Sequence, residues 1–354
     1  MKVAILTFRW ANNYGAVLQA YALLRTVRQL VQHVEFLNYV APLQRWDWLR
    51  NWGVRSGTIA RMLPLRLAFM HFRRKHLPAT ARVSSSTALA RLVSHYDACI
   101  VGSDQVWNGR IHGGYDPAFF LDFIPHGGPK AISYAACFGQ PDQPESHRSQ
   151  LQNWLQRFSA ISVRNEFSRK LVQQLAGRNA EVVLDPTLLW NFDDLLKPVT
   201  AKPKGYILVY ALSDDHRESM GTVVRAVAQR TGLPVISVWP TVPFEGPPVN
   251  RLAPGPIGWL RLFRNARFIC TDSFHGCGVA VKFTKQLLCW PGARPQRLID
   301  FLAMCGLENR LLEHPTGPNV EDALRRDIDY ALVHARLQER VASSLDFLKR
   351  SIAS

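Results

Sequence analysis

Thr271-Asp272-Ser273-Phe274-His275-Gly276 is the stretch from which the fold can be read. The four residues before it, Arg267-Phe268-Ile269-Cys270, form a short apolar run that predicts a buried strand. The small apolar residues that follow, 277–283, predict the start of a helix. A strand-to-helix turn leaves backbone N–H groups pointing outward, where they favour an anion. In open α/β sheets, ligands bind outside such strand ends. Two readings of His275 stay open here. It caps its own helix, or it meets a phosphate or carboxylate and moves a proton near neutral pH.

Working outward, the same alternation recurs along the 354 residues. Strand-like runs fall at 3–8, 34–39, 97–101, 131–137, 161–164 and 181–184. Val17, Tyr21, Leu24 and Val27 mark a helix between the first two, and 150–158 another. Lys197-Pro198 and Lys202-Pro203-Lys204-Gly205 read as a break. A second set follows, with strands at 206–212, 235–239 and 286–290, helices at 217–230 and 257–265, and helical patterns through 320–352. Strands alternating with helices predict mainly parallel sheets with crossover helices. The expected fold is α/β, with two Rossmann-like domains facing a cleft. Its parts are 1–190, a linker at 191–205, a second domain at 206–319, and C-terminal helices at 320–354.

Composition narrows the class. The chain is 47% hydrophobic and 20% charged, as in soluble globular proteins. No apolar run reaches the roughly 20 residues of a membrane span. The apolar start before Arg9 is too short for a signal peptide, so a cytoplasmic protein is expected. Six scattered cysteines show no ligand spacing, so neither a metal site nor a disulfide framework is expected.

The net charge of +16 is unevenly placed. Residues 41–82 hold nine basic side chains against one acid, Asp47, with Trp46, Trp48, Trp52, Leu63, Leu65, Phe69 and Phe72 between them. Such a stretch suits an anionic membrane surface or another polyanion. It equally suits a helical lid whose aromatics face the core. A nucleic-acid partner is not favoured by the rest of the chain.

Several other strand ends carry polar turns. Asn12-Asn13-Tyr14-Gly15 joins the first strand to the first helix, and Gln19 lies one turn further on. Asn13 is a good helix cap, Gly15 allows close backbone approach, and the turn could hold a phosphate or a sugar hydroxyl. The dinucleotide fingerprint G-x-G-x-x-G is absent. Asp104, in Gly102-Ser103-Asp104-Gln105-Val106-Trp107-Asn108, is either a helix cap or a base for an alcohol. Arg164 follows a strand, where its planar fork suits a phosphate or carboxylate, or a structural pair with Glu166 or Asp185. Arg294 and Arg297 lie near a helix N-terminus, where cations oppose the dipole, so an anionic partner is expected for them.

Taken in order, these pieces resemble the polysaccharide pyruvyl transferase family. The resemblance runs through Asn13-Tyr14-Gly15-Ala16, the Gly102–Asn108 segment, Ser133-Tyr134-Ala135-Ala136, Ser162-Val163-Arg164, Asp185-Pro186-Thr187 and the 271–276 hexapeptide. It ends in Arg297-Leu298-Ile299-Asp300-Phe301-Leu302 and the segment to Arg310. It implies a fold like the B-type glycosyltransferases. It also implies transfer of pyruvate from phosphoenolpyruvate to a sugar as a cyclic ketal, with a polysaccharide or its lipid-linked precursor as acceptor and no cofactor. Carried over, His275 and Asp104 become the catalytic pair. Arg164, Arg297, Asn13, Gly15, Gln19, Ser273 and Gly276 become substrate-binding residues. Three positions depart from the family pattern: Asn165 stands where an acid usually follows the arginine, Cys137 where serine is common, and Val279 where a bulky aromatic usually follows the histidine motif. The alternatives are a nucleotide-sugar-dependent glycosyltransferase and a non-catalytic membrane- or polyanion-binding protein.

Overall fold

In the computed structural model, the described residues are 1–40, 59–141, 143, 145–196, 205–213, 217–239, 241, 243–292 and 296–353. They form two compact units, Met1–Trp190 with Arg340–Ser354, and Asn191–Glu339. The chain therefore returns to its first unit at the end. Helix Tyr330–Ala353 starts in the second unit and finishes in the first.

The first unit contains β1 (Lys2–Leu6), β2 (His33–Phe36), β3 (Ala98–Val101), β4 (Lys130–Ala136), β5 (Ala160–Val163) and β6 (Glu181–Val182). They pair in the order β2-β1-β3-β4-β5-β6, parallel throughout. The central strands are buried along nearly their whole length. Burial on both faces is what turns their alternation into continuous apolar runs such as Ala98-Cys99-Ile100-Val101. Beside the sheet, Trp107 stacks on Phe120 (5.5 Å) and Phe120 on Trp154 (4.8 Å). The Trp107 indole is fully buried and donates to the Phe119 carbonyl at 2.9 Å, which satisfies its one polar atom.

The second unit contains β7 (Ile207–Tyr210), β8 (Val235–Val238), β9 (Val249–Leu252), β10 (Phe268–Thr271) and β11 (Gln286–Cys289). Their order is β11-β10-β7-β8-β9, again parallel. The edge strand β9 alternates nothing and is half-exposed, so the hydrophobic pattern gave no sign of it. All six cysteines are buried and free.

Each sheet reverses its winding once. In the first, the reversal lies between β1 and β3; in the second, between β7 and β10. At such a point neighbouring crossovers leave to opposite faces, and the strand ends open a crevice. The Asn13 turn and the Gly102–Asn108 turn flank the first reversal. The 271–276 hexapeptide sits on the second.

Of the basic stretch 41–82, residues 41–58, with all three tryptophans, lie outside the described residues. Helix Ile59–His76 follows. Its Leu65, Phe69 and Phe72 are buried against the first helix, Tyr14–Val27, with Tyr14 5.1 Å from Phe69 and Tyr21 6.0 Å from Phe72. Its other side exposes Leu63 (57%), Leu67 (49%) and Met70 (54%), spaced as one helical stripe. No helix among the described residues is long and apolar enough to cross a membrane.

Candidate functional site

The hexapeptide folds as a chain of local hydrogen bonds. Thr271 closes β10, and its Oγ1 donates to the Tyr210 carbonyl at 2.5 Å, tying β10 to β7 across the reversal. The same oxygen accepts from Ser273 N at 3.0 Å. Asp272 accepts from Leu212 N (2.8 Å) and Ser213 N (2.9 Å), which fixes the loop leaving β7. Ser273 is the cap of helix Phe274–Lys282, with its Oγ accepting from Gly276 N at 3.2 Å. Capping therefore belongs to Ser273, and the reading of His275 as its own helix cap is overturned. His275 is half-buried on the first turn, 5.2 Å from the Phe274 ring.

Gly276 has a packing reason to be glycine. A Cβ there would lie 2.6 Å from Thr271 Oγ1 and 3.1 Å from the Tyr210 ring. The first turn is thus pressed onto the strand ends. Helix Gln296–Cys305 starts beside it: Phe301 packs edge-on against Phe274 at 5.6 Å. Arg297 lies in its first turn and is half-buried. Arg294 lies outside the described residues. One half-buried histidine and one half-buried arginine thus sit on the first turns of two packed helices at strand carboxyl ends.

The first unit's reversal is built differently. Gly102 has φ +115°, and a Cβ there would sit 2.1 Å from the Tyr134 carbonyl oxygen. Only glycine lets the chain cross β4 so closely. Asp104 follows with φ 79°, an uncommon conformation for a non-glycine residue and one that concentrates at functional sites. Its Oδ1 accepts from Gln105 N at 2.9 Å and from Arg164 Nη2 at 3.3 Å. Arg164 Nη1 donates to Asp185 Oδ2 at 3.0 Å. Asp185 also accepts from Ser103 Oγ (3.1 Å), Thr187 N (3.0 Å) and Thr187 Oγ1 (2.7 Å). The side chains of Arg164, Asp185 and Asp104 are 2%, 0% and 14% exposed. Asp104 is the member of this trio that reaches the surface.

This changes the reading of Arg164. Expected to meet the donor's anion, it is instead enclosed between two carboxylates that already balance its charge. Burial opposes that charge, but Asp104, Cys137 and Asp185 and the hydrogen bond to Asp185 outweigh it, and the net shift of its pKa is upward. Two of the three departures from the family pattern meet just behind it. Asn165 Nδ2 donates to Cys137 Sγ at 3.3 Å, while Asn165 Oδ1 caps helix Glu166–Ala176 by accepting from Ser168 N.

The first polar turn also proves structural in part. Asn13 caps helix Tyr14–Val27 through Ala16 N at 3.1 Å. Gly15 is buried within that helix. Gln19, expected to reach a ligand, is fully buried, with Nε2 donating to Thr7 Oγ1 (2.9 Å) and the Ala16 carbonyl (3.0 Å). Thr7 Oγ1 in turn donates to the Ser103 carbonyl at 3.1 Å, which stitches β1 to the turn carrying Asp104. Gly15 and Gln19 are thus both buried, and the bonds of Gln19 brace the reversal.

A cavity of about 860 Å³ lined by Met1, Tyr96, Asp97, His126 and Lys130 lies at the amino end of the first sheet. Volume and chemistry disagree here, and the polar turns at the carboxyl ends carry the reactive groups. Among the described residues no group of three or more His, Cys, Asp or Glu side chains is placed to hold a metal ion.

The sequence pattern defining the polysaccharide pyruvyl transferases matches residues 13–289, a span that runs from the Asn13 turn through the 271–276 hexapeptide. The chain belongs to the polysaccharide pyruvyl transferase family. A search of curated proteins gives no significant match. Among solved structures, UDP-GlcNAc 2-epimerase from Neisseria meningitidis, bound to UDP-GlcNAc, aligns over 98% of this chain and 94% of its own, at 12% identity and a TM-score of 0.52. UGT89C1 from Arabidopsis thaliana, complexed with UDP-L-rhamnose, aligns over 100% and 99%, at 11% identity and a TM-score of 0.54. At such identities the likeness is one of fold. This member of the family has the two-domain GT-B-like architecture.

Proposed function

We propose that this family member transfers pyruvate from phosphoenolpyruvate to two hydroxyls of one sugar, closing a cyclic ketal and releasing phosphate. The observation that carries the reading is His275 on a Ser273-capped first turn at the β7/β10 reversal, within the span matched by the family. Phosphoenolpyruvate carries a carboxylate and a phosphate. The N–H groups of that helix start and Arg297 supply donors for them.

In the proposed mechanism, protonated His275 gives its proton to the methylene carbon and C2 becomes cationic. A sugar hydroxyl adds to C2 and gives its proton to Asp104. Phosphate departs as its C2–O bond breaks, and the second hydroxyl closes the ring, its proton leaving with the phosphate. Arg164 acts as a positioning residue: gripped by Asp185, it holds Asp104 at the surface of the first unit. The scheme assigns no step to a cofactor or a metal. The acceptor is a cell-surface polysaccharide or its lipid-linked precursor.

The reading is tested by phosphate release from phosphoenolpyruvate with a lipid-linked oligosaccharide, the product being checked by mass. Turnover that requires a nucleotide sugar in place of phosphoenolpyruvate would favour a glycosyltransferase and sink the proposal.

We further propose that the Leu63/Leu67/Met70 stripe, with Arg66, Arg74 and Lys75 on the same helix, rests on an anionic membrane. Flotation with phosphatidylglycerol vesicles tests this: Leu67→Glu should lower the bound fraction. Equal flotation of both proteins would remove the membrane from the account.

A further inference from the structure

Arg9, three residues beyond β1, pairs in space with Arg73, and the activity above uses neither. Arg9 Nη1 donates to Asn38 Oδ1 at 2.8 Å and Nη2 to the Leu77 carbonyl at 3.2 Å, and its guanidinium lies 5.9 Å from the Phe36 ring centroid. Arg73, on the last turn of helix Ile59–His76, donates through Nη1 to Asn12 Oδ1 at 2.8 Å and to the Ala11 carbonyl at 3.4 Å. Both arginines are half-buried. Every acceptor is neutral, and among the described residues neither guanidinium has a carboxylate partner. Two like charges here share one turn, residues 9–12, and one helix end, residues 73–77.

Two further donors lie on the same turn. Arg9 Nε and Trp10 Nε1 are buried N–H groups with no acceptor among the described residues. Burying a cation without a counter-charge is costly, and an unpaired buried donor adds to the cost. The strain shows in the basicity of the pair. Burial and then the charge of Arg73 push Arg9 down to about 10, and burial lowers Arg73 as well. Arg164 offers the contrast: it is more deeply buried, yet it carries two carboxylates.

We propose that Arg9 and Arg73, with the Trp10 indole N–H, form a phosphate-binding subsite at the carboxyl end of β1. The ligand class follows from the donors. Two guanidinium forks match the several oxygens and double charge of a phosphate better than a lone carboxylate. The subsite lies on the unit that carries Asp104, so it would hold a phosphate attached to the acceptor. That last step rests on the activity proposed above; phosphate binding itself does not. The phosphate is either a soluble monoester or a diester of the lipid-headgroup kind.

The test uses the full chain with arginine side chains labelled at ¹⁵Nε. Inorganic phosphate is titrated at constant ionic strength against chloride, and Arg9 and Arg73 signals are assigned with Arg9→Lys and Arg73→Lys. Both signals should move together and saturate. Arg73→Gln should weaken the apparent affinity seen at Arg9 by about tenfold or more. Glycerophosphoglycerol in a second titration separates the sources: tighter binding than phosphate identifies a diester, weaker binding a monoester.

Signals that stay still under phosphate, or that follow chloride equally, overturn the proposal. So does an Arg73→Gln protein that melts lower yet binds phosphate as before, since that is the mark of a helix-end contact alone. None of these outcomes depends on turnover of phosphoenolpyruvate, so the subsite and the proposed activity can fail separately.

Discussion

At the carboxyl ends of β3, β5 and β6, the first unit holds Arg164 between Asp104 and Asp185. At the carboxyl end of β10, the second unit holds His275 on the first turn of a helix capped by Ser273. Both are winding reversals of parallel sheets, and both use a glycine where no Cβ fits. The first reversal has turned its arginine inward and balanced it twice. The second keeps its histidine and Arg297 half-buried on helix starts. Fold gives each place its crevice; side-chain burial decides which one can meet an anion. Substitutions at the second should therefore change turnover with little loss of stability, while removing Arg164 at the first should cost stability as well as the placing of Asp104.

The largest expected effect is at His275. His275→Ala should lower phosphate release by about 10²–10⁴-fold, the usual worth of a positioned acid. Thermal melting should hardly move, because the histidine is not the helix cap. A loss below about threefold would end its role as acid.

Arg164→Met should be felt first in stability, and in turnover through the loosened Asp104. It leaves Asp185 buried, and Asp104 partly buried, without their cation, at a cost of about 3–5 kcal/mol in denaturant unfolding. The companion Arg297→Gln, at a half-buried helix start, should cost clearly less stability than Arg164→Met while raising the apparent KM for phosphoenolpyruvate. If Arg164→Met unfolds at the wild-type denaturant concentration, the contrast between the two regions collapses.

Gly276→Ala comes next. The added Cβ would meet Thr271 Oγ1 at 2.6 Å, so the helix start must move off the strand end. Overpacking of this kind costs about 1–3 kcal/mol. The shift also moves His275, so kcat should fall along with Tm. A drop in Tm with unchanged kcat would show that the histidine's placement tolerates the shift.

Much of this frame was legible in the sequence, and the illegible parts share a cause. The parallel sheets followed from apolar runs such as 98–101 and 207–210, because local pattern encodes burial on two faces. Strand ends were legible only to within one or two residues; β6, expected at 181–184, pairs only at Glu181 and Val182. Arg164 was visible as an arginine after a strand, but not its fate. Its partners lie 60 and 21 residues away, and only the register of β3, β5 and β6 brings them together. Gln19 was read as facing a ligand because helical spacing gives its distance from the turn, while its buried bond to Thr7 depends on how β1 sits beside the helix. Arg9 and Arg73 were missed as a pair for the same reason: one closes the first strand and the other lies 64 residues later in a stretch read for its total charge.

The smallest effect gives the sharpest comparison, because both regions carry the same device. Asn13 and Ser273 each cap a helix that leaves a strand at a reversal, through side-chain oxygens 3.1 and 3.2 Å from Ala16 N and Gly276 N. Removing either cap should cost about 1 kcal/mol. The two alanine variants should therefore unfold alike. Their kinetics should part. Ser273→Ala frees the turn that carries His275 and the N–H groups offered to the donor, so the apparent KM for phosphoenolpyruvate should rise several-fold. Asn13→Ala loosens a helix whose first turn faces the core through Tyr14 and Gly15, so that KM should stay put. Equal shifts in KM would mean that the donor reads both reversals, and the division of labour between them would have to be redrawn.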